Sequence, residues 1–324
     1  MTSTDLPVRD ASGPAPHVPH VPHTGRVTAV RRRAPGPRPR PRPRTHLTLG
    51  DGRTTRVLAL AALAVMALVW LLPMAWALLT AFKSEQDASD PLRWLLPAHG
   101  FTLQGFSTVW ERGDLPLWML NSLLISAAVT VITVLVSAMA GYAFSRTLFA
   151  GRRWLFAVTV AAVLVPPQIL IVPWFQQMLS LRLLDTYAAV ILPQTVAPVM
   201  VFILKKHFDS LPHELEEAAR IDGAGHWRIF WSVLLPLSRP MLAAVSIFVF
   251  IGAWNNFLWP FISTSDPALM TLPVGITSVK DAYGIQYAQS MASAVLAALP
   301  LVVVFMFFQR HIVKSVATTG LGGQ

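Results

Sequence analysis

Six stretches of the chain carry no charged residue and consist mostly of aliphatic and aromatic side chains: 57–82, 117–144, 154–181, 186–204, 241–265 and 282–309, the last greasiest from Met291 onward. A helix needs about 20 mostly apolar residues to cross a hydrocarbon layer. Backbone polar groups in lipid have no water to bond, so the helix, which satisfies them internally, is the economical form for each stretch. The pattern predicts an all-α, polytopic membrane protein with six transmembrane helices. Pro73, Pro166, Pro167, Pro173, Pro193, Pro198 and Pro300 fall inside these stretches. In a bundle such prolines are tolerated where neighbours cover the freed backbone groups.

The polar intervals orient the bundle, because cytoplasmic loops carry an excess of Lys and Arg. With the N-terminus inside, the cytoplasmic loops hold Arg146, Arg152, Arg153, Lys205, Lys206, Arg220, Arg228, Arg239, Arg310 and Lys314. The opposite side holds only Lys83, Arg93, Arg112, Arg182 and Lys280. Both termini and the loop before residue 240 are therefore expected in the cytoplasm. Trp70, Trp118, Trp154, Trp174 and Trp259 lie near predicted span ends, where interfacial tryptophans gather. The external segment 83–116, with Trp94, Phe101, Phe106 and Trp110, either caps the bundle or meets an outside partner.

Composition strengthens the membrane reading. The 324 residues are 54% hydrophobic and 13% charged, against about 25% charged in soluble domains. The net charge of +10 is concentrated in residues 1–56, which hold 11 of the 26 Lys and Arg. That arm contains "PHVPHVPH" and "RPRPRPR". Alternating proline and arginine leaves little to bury and few backbone donors, so a disordered Pro/Arg-rich cytoplasmic arm is expected. His17, His20 and His23 read as a solvated linker rather than a metal site.

The chemistry that is missing narrows the classes. Cysteine is absent, excluding disulfides and thiolate metal sites. A P-loop needs Gly-Lys-Ser/Thr to cradle phosphate, but Phe82 and Val313 precede the two Lys-Ser pairs. His213-Glu214 begins like a zinc-protease motif, and Glu217 stands where its second histidine belongs. None of the predicted spans holds a carboxylate or histidine, the stations that a proton-driven carrier uses. The chain is expected to be no enzyme, to bind no cofactor or metal, and to take its energy from another chain.

The most elaborate polar stretch, "LPHELEEAARIDGAGHWRIFWSVLLPLSRP" (211–240), lies between two spans. Asp209 or Ser210 is expected to cap a helix with Pro212 in its first turn. Glu214, Glu216 and Glu217 then meet the positive end of its dipole. Leu211, Leu215 and Ala218 or Ala219 recur at helical spacing as one modest apolar face. Gly223 and Gly225 break this helix after Asp222. A second amphipathic stretch follows through Trp227, Phe230 or Trp231, and Leu234. One reading lays the helix on the membrane surface. The other hinges it at glycine and stands it proud of the membrane, in a socket of a soluble partner. The weak apolar face and acidic cluster favour the socket.

These residues resemble the EAA loop of ABC-importer permeases, with Glu217, Ala218, Ala219, Gly223, Leu235 and Pro236 at the motif positions. "NSLLISAAVTVITVLVSAMAGYAFSR", "WNNFLWPF" and "TLPVGI" are similar to the binding-protein-dependent carbohydrate branch, and most of all to the maltose-type second permease subunit. The likeness covers roughly residues 57–314 and leaves 315–324 as a short cytoplasmic tail. Two positions depart from the branch: Asn256 stands where it usually has Asp, and Ser315 follows Lys314 where it has glycine.

The resemblance implies an ABC importer type I transmembrane domain with a cytoplasmic coupling helix, in the plasma membrane. Its partners would be two ATPase subunits that bind ATP and Mg, a second homologous six-span permease and an extracytoplasmic solute-binding protein; no nucleic acid is involved. Glu217, Ala218, Ala219, Asp222, Gly223, Leu235 and Pro236 would couple to the ATPase. The expected cargo is a sugar or oligosaccharide, with glycerol-phosphate or another polyol as the alternative. Trp254, Asn255, Asn256, Gln168, Gln176 and Gln194 are path candidates, each also explicable as glue between helices. A stand-alone secondary carrier and a membrane scaffold or enzyme are the rival classes.

Overall fold

The computed structural model describes residues 53–93, 95–112, 114–278 and 286–321. Contacts separate residues 1–61, of which 53–61 are described as helix, from residues 62–324, the unit that holds every other element. Among the described residues there is no strand. The expected arm lies almost wholly outside them.

The chain runs through α1 (Arg53–Ala81), α2 (Glu85–Ser89), α3 (Gln104–Arg112), α4 (Leu115–Arg146), α5 (Arg152–Ala161) and α6 (Ile171–Ser180). It continues with α7 (Tyr187–Ile191), α8 (Pro198–Asp209), α9 (Glu214–Ile221), α10 (His226–Ile229) and α11 (Leu235–Leu237). It closes with α12 (Arg239–Trp254), α13 (Leu258–Ser263), α14 (Leu272–Ser278) and α15 (Tyr287–Leu321). α15 continues past Lys314, so residues 315–321 of the expected cytoplasmic tail are helical.

Among the described residues, only α1 and α4 are single helices long and apolar enough to cross a membrane. Three further stretches qualify only as bent pairs: Arg152–Leu164 with Pro167–Ser180 at 97°, Tyr187–Thr195 with Pro198–Asp209 at 48°, and His226–Leu237 with Arg239–Trp254 at 80°. The bends depart from a pattern of one helix per stretch: among the described residues, two helices and up to three bent pairs are long and apolar enough to cross. Proline is the physical cause in two cases. It lacks the N–H that would continue the ladder and pushes the preceding residue out of the helical region. Val165 and Pro166 are accordingly extended before Pro167, as is Val196 ahead of Pro198.

The stretch 241–265 also breaks, between Trp254 and Leu258. Pro260 has no N–H to offer the carbonyl of Asn256, and its ring would collide with that carbonyl in a continuous helix. Asn255 caps the end of α12 and donates from Nδ2 to the Ile251 carbonyl (2.9 Å). The start of the last stretch, 282–285 with its neighbour Asp281, falls outside the described residues.

α4 is the axis of the bundle, packed most extensively by α8 and α12. Ser122, Ser126, Thr133, Ser137 and Gly141 lie buried along it, and such small residues let helices approach closely. A methyl group on Gly141 would sit 3.0 Å from the Lys205 amide nitrogen of α8. Two clusters hold the ends of the rod. Ala138 and Tyr142 pack with Leu204, Phe208, Ile229, Phe230, Leu234 and Val245 at one end. Leu115 and Trp118 pack with Val109, Trp254 and Leu272 at the other. Phe208 has no exposed surface, so Phe208→Ala should lower stability by about 3–5 kcal/mol. Thermal unfolding of the detergent-solubilised protein measures it.

The tryptophans divide. Trp70 and Trp154 are 75% and 80% exposed, as membrane-facing residues would be, whereas Trp118 and Trp259 are only 4% and 3% exposed. Those two are core residues, and Trp174 stacks edge-on against Trp259 at 5.6 Å. The segment after α1 caps the bundle in part. α3 packs on α15, Phe82 meets Phe106 at 4.9 Å, and Glu85 accepts from the Tyr287 and Ala288 amides at the start of α15. Phe101 and Trp110 stay exposed, and Trp94 is outside the described residues.

Candidate functional site

α9 is the polar helix that the loop pattern predicts, with Glu214, Glu216 and Glu217 in its first turn. Its start differs from expectation. The N-cap is His213, with no side-chain cap bond. Asp209 closes α8 instead, accepting from Lys205 Nζ (2.6 Å) and Ser145 Oγ (2.8 Å). Ser210 donates to the His207 carbonyl (2.6 Å).

The end of α9 follows from Gly223. Its φ of +80° lies in the left-handed region, open to glycine at no steric cost. The Ala224 amide donates to the Ala219 carbonyl (2.9 Å) and the Gly223 amide to the Arg220 carbonyl (3.0 Å). This pair of reversed bonds satisfies carbonyls that a helix end otherwise leaves bare. Ala219 and Ala224 pack together against the Phe208–Phe230 cluster. Gly225 then serves as N-cap of α10, and a π-turn at Phe230–Leu234 leads to Leu235 and Pro236. Of the second amphipathic stretch, Phe230 and Leu234 face the core, while Trp227 and Trp231 are exposed.

Which side of α9 faces inward was not legible beforehand. Its buried residue is Glu216, not one of the expected leucines. Glu216 Oε1 lies 3.1 Å from Arg146 Nε, with the two side chains 5% and 1% exposed. Arg146 also donates to His213 Nδ1 (2.6 Å), to the Leu211 carbonyl (2.6 Å) and to the Phe208 carbonyl. Because guanidinium can only donate, His213 Nδ1 must be an acceptor. Tyr142, one turn back on α4, donates to the His226 carbonyl at 3.3 Å. Arg146 and Glu216 are functional candidates that sequence reasoning missed. The one available signal was an arginine ending a long uncharged run.

The outward side of α9 carries Glu214, Leu215, Glu217, Ala218, Ile221 and Asp222, all exposed, with Ile221 at 87%. Glu217 has no ion-pair partner among the described residues. With Ser145, Arg146, Arg152, Asp209, Glu216 and Arg220 it lines a groove of about 520 Å³. An acidic helix with the uncovered apolar side chains Leu215 and Ile221 thus stands beside an open charged groove.

The path candidates separate in the same way. Trp254 is 3% exposed and its indole nitrogen lies 3.4 Å from the Ala297 carbonyl. Asn256 donates to Gln194 Oε1 (2.7 Å), and Gln194 donates to the Val190 carbonyl (2.7 Å). This couple ties one helix break to another. Gln168, Gln176 and Asn255 are exposed.

Broken apolar helices packed along α4, with a polar helix held at one of its ends, give an all-helical fold with the character of a membrane protein. The model of the family described as binding-protein-dependent transport system inner membrane component matches residues 133–318, and the chain belongs to that family. It is a transport subunit, not an enzyme. The chain is 36% identical to the arabinooligosaccharides transport system permease protein AraQ of Halalkalibacterium halodurans, over 80% of its own length and 94% of the relative's. It is 35% identical to the diacetylchitobiose uptake system permease protein NgcG of Streptomyces coelicolor, over 79% and 86%. The fold is that of a solved bacterial ABC transporter involved in the import of the acidic polysaccharide alginate: TM-score 0.72 at 20% identity, covering 81% of this chain and 98% of that one.

Proposed function

We propose that this chain is one of two homologous six-span permeases of an ABC importer for a sugar or oligosaccharide, and that α9 is its coupling helix. Residues 57–314 form the transmembrane domain, residues 1–56 a cytoplasmic arm, and 315–324 a cytoplasmic end. Two ATPase subunits bind ATP and Mg, and a solute-binding protein delivers cargo from outside. Closure of the ATPases displaces α9, and the spans rock between inward- and outward-open forms.

The observation that carries this reading is the two-sidedness of α9. Its inner side is locked to the bundle through Glu216 and Ala219, and its outer side offers Glu217, Ala218, Ile221 and Asp222 with nothing upon them. A helix with both properties can receive force from one protein and deliver it to another. The names of the oligosaccharide-transporting relatives favour a carbohydrate cargo. Exposed Gln168, Gln176 and Asn255 are available to meet it, whereas Asn256 is bonded to Gln194 and Trp254 is buried.

The chain has no cysteine, so a single Arg228→Cys gives an unambiguous label. A membrane-impermeant maleimide should react with it in inverted vesicles and not in intact cells; reaction in intact cells would place α9 on the wrong side for any ATPase. Growth of a deletion strain on a panel of oligosaccharides, polyols and glycerol phosphate identifies the cargo class.

A further inference from the structure

We propose that Arg146 is the positioning residue that makes α4 and α9 one rigid body, so that a push on the loop is delivered along α4 to the opposite end of the bundle. The proposal rests on the reading of α9 as the coupling helix. Arg146 gathers acceptors from three successive pieces of chain: the Phe208 carbonyl at the end of α8, the Leu211 carbonyl in the link, and His213 with Glu216 on α9. Nη1 and Nη2 make the hydrogen bonds, and Nε faces Glu216 Oε1 at 3.1 Å as an ion pair without hydrogen-bond geometry.

Packing alone would not need this residue. The apolar cluster of Tyr142, Phe208, Phe230 and Leu234 already buries the base of the loop. An ion pair taken out of water gives back little net stability. What a planar fork adds is orientation, because several N–H bonds in one plane set an angle that apolar contact leaves loose. α9 needs that help. It has eight residues, too few for a helix stable alone, and it hangs between Pro212 and Gly223.

The far end of α4 is clamped as well. Asn121 donates from Nδ2 to the Ala268 and Met270 carbonyls (2.9 and 3.0 Å), and Ser122 Oγ accepts from the Leu272 amide (2.7 Å). Asn121 and Arg146 lie on the same unbroken helix, so the two clamps are joined by about 38 Å of it at 1.5 Å per residue. A rod fixed at both ends transmits tilt; a rod loose at one end does not.

The test places spin labels on Met139→Cys in α4 and Glu214→Cys in α9, in the full chain assembled with its partner permease in phosphatidylethanolamine/phosphatidylglycerol nanodiscs. With Arg146 intact, the distance distribution should be a single narrow peak, unmoved when ATPase subunits and ATP are added. Arg146→Lys keeps the charge but cannot bridge three segments. It should at least double the peak width. It should also lower binding-protein-stimulated ATP hydrolysis several-fold relative to basal. Glu216→Gln, which keeps shape and one acceptor, should broaden the peak less, and it supplies the reading if the lysine variant fails to accumulate. Peaks as narrow as the parent's in these variants, or an unchanged stimulation ratio, would overturn the clamp. ATPase capture that survives Glu217→Lys would instead remove the coupling-helix reading, with the distance measurement still deciding the clamp.

Discussion

Gly275→Ala is expected to cripple accumulation of the protein. A methyl group at this position in α14 would lie 2.1 Å from Trp118 Cδ2 and 2.3 Å from Cε3, inside the indole rather than at its movable edge. Trp118 is 4% exposed, wedged among Val109, Leu115, Trp254 and Leu272. Neither partner can yield without opening the cluster, and overpacking of this kind costs about 1–3 kcal/mol or more. Trp118→Leu should relieve the collision, so the double variant should recover much of what the single one loses. A double-mutant cycle on thermal midpoints in detergent provides the measurement. Additive losses would mean that Gly275 matters for some reason other than the ring above it.

Two neighbouring glutamates should answer the same substitution in opposite ways. Glu217→Lys alters an exposed residue without an ion pair among the described residues, so insertion and stability should match the parent. On the coupling reading it sets like charge against like in the ATPase socket, which costs several kcal/mol at an interface. ATPase capture should weaken on the order of 100-fold, at 1.4 kcal/mol per tenfold, and uptake should fall with it. Glu216→Lys should fail earlier. It leaves Arg146 facing a second buried cation, and breaking a buried pair costs about 3–5 kcal/mol. Membrane abundance by immunoblot and ATPase pull-down separate the two effects. A Glu217→Lys protein with normal capture and normal uptake would contradict the coupling role.

Several features were legible because they are local. Glycine at 223 ends α9 by a backbone requirement that belongs to that residue, and the run of acids before it marks the helix start to within one turn. α1 and α4 follow from uninterrupted apolar length. The other stretches misled in a consistent direction. Apolar length says that a stretch belongs in lipid, but says nothing of whether it is one helix. Pro167, Pro198 and Pro260 decide that, through the N–H they lack and the residue they unwind before them. Trp118 and Trp259 misled differently: a tryptophan near a span end suits an interface equally well as a core, and only its neighbours distinguish the two.

The amino-acid order alone pointed to a membrane-embedded, all-helical transport component, and it marked the loop proposed here to drive it. Partition into lipid, helix-ending glycine and the lack of a phosphate cradle each depend on residue types within a short window. The side of α9 that turns inward was settled by folding. Arg146 meets its acceptors on Phe208, Leu211 and His213 across 62 to 67 residues of chain. Adjacent glutamates have the same intrinsic chemistry, so nothing local distinguishes the one that anchors from the one left free. A guanidinium delivered by a distant helix makes that distinction, because burying a carboxylate is affordable only where such a partner is already waiting.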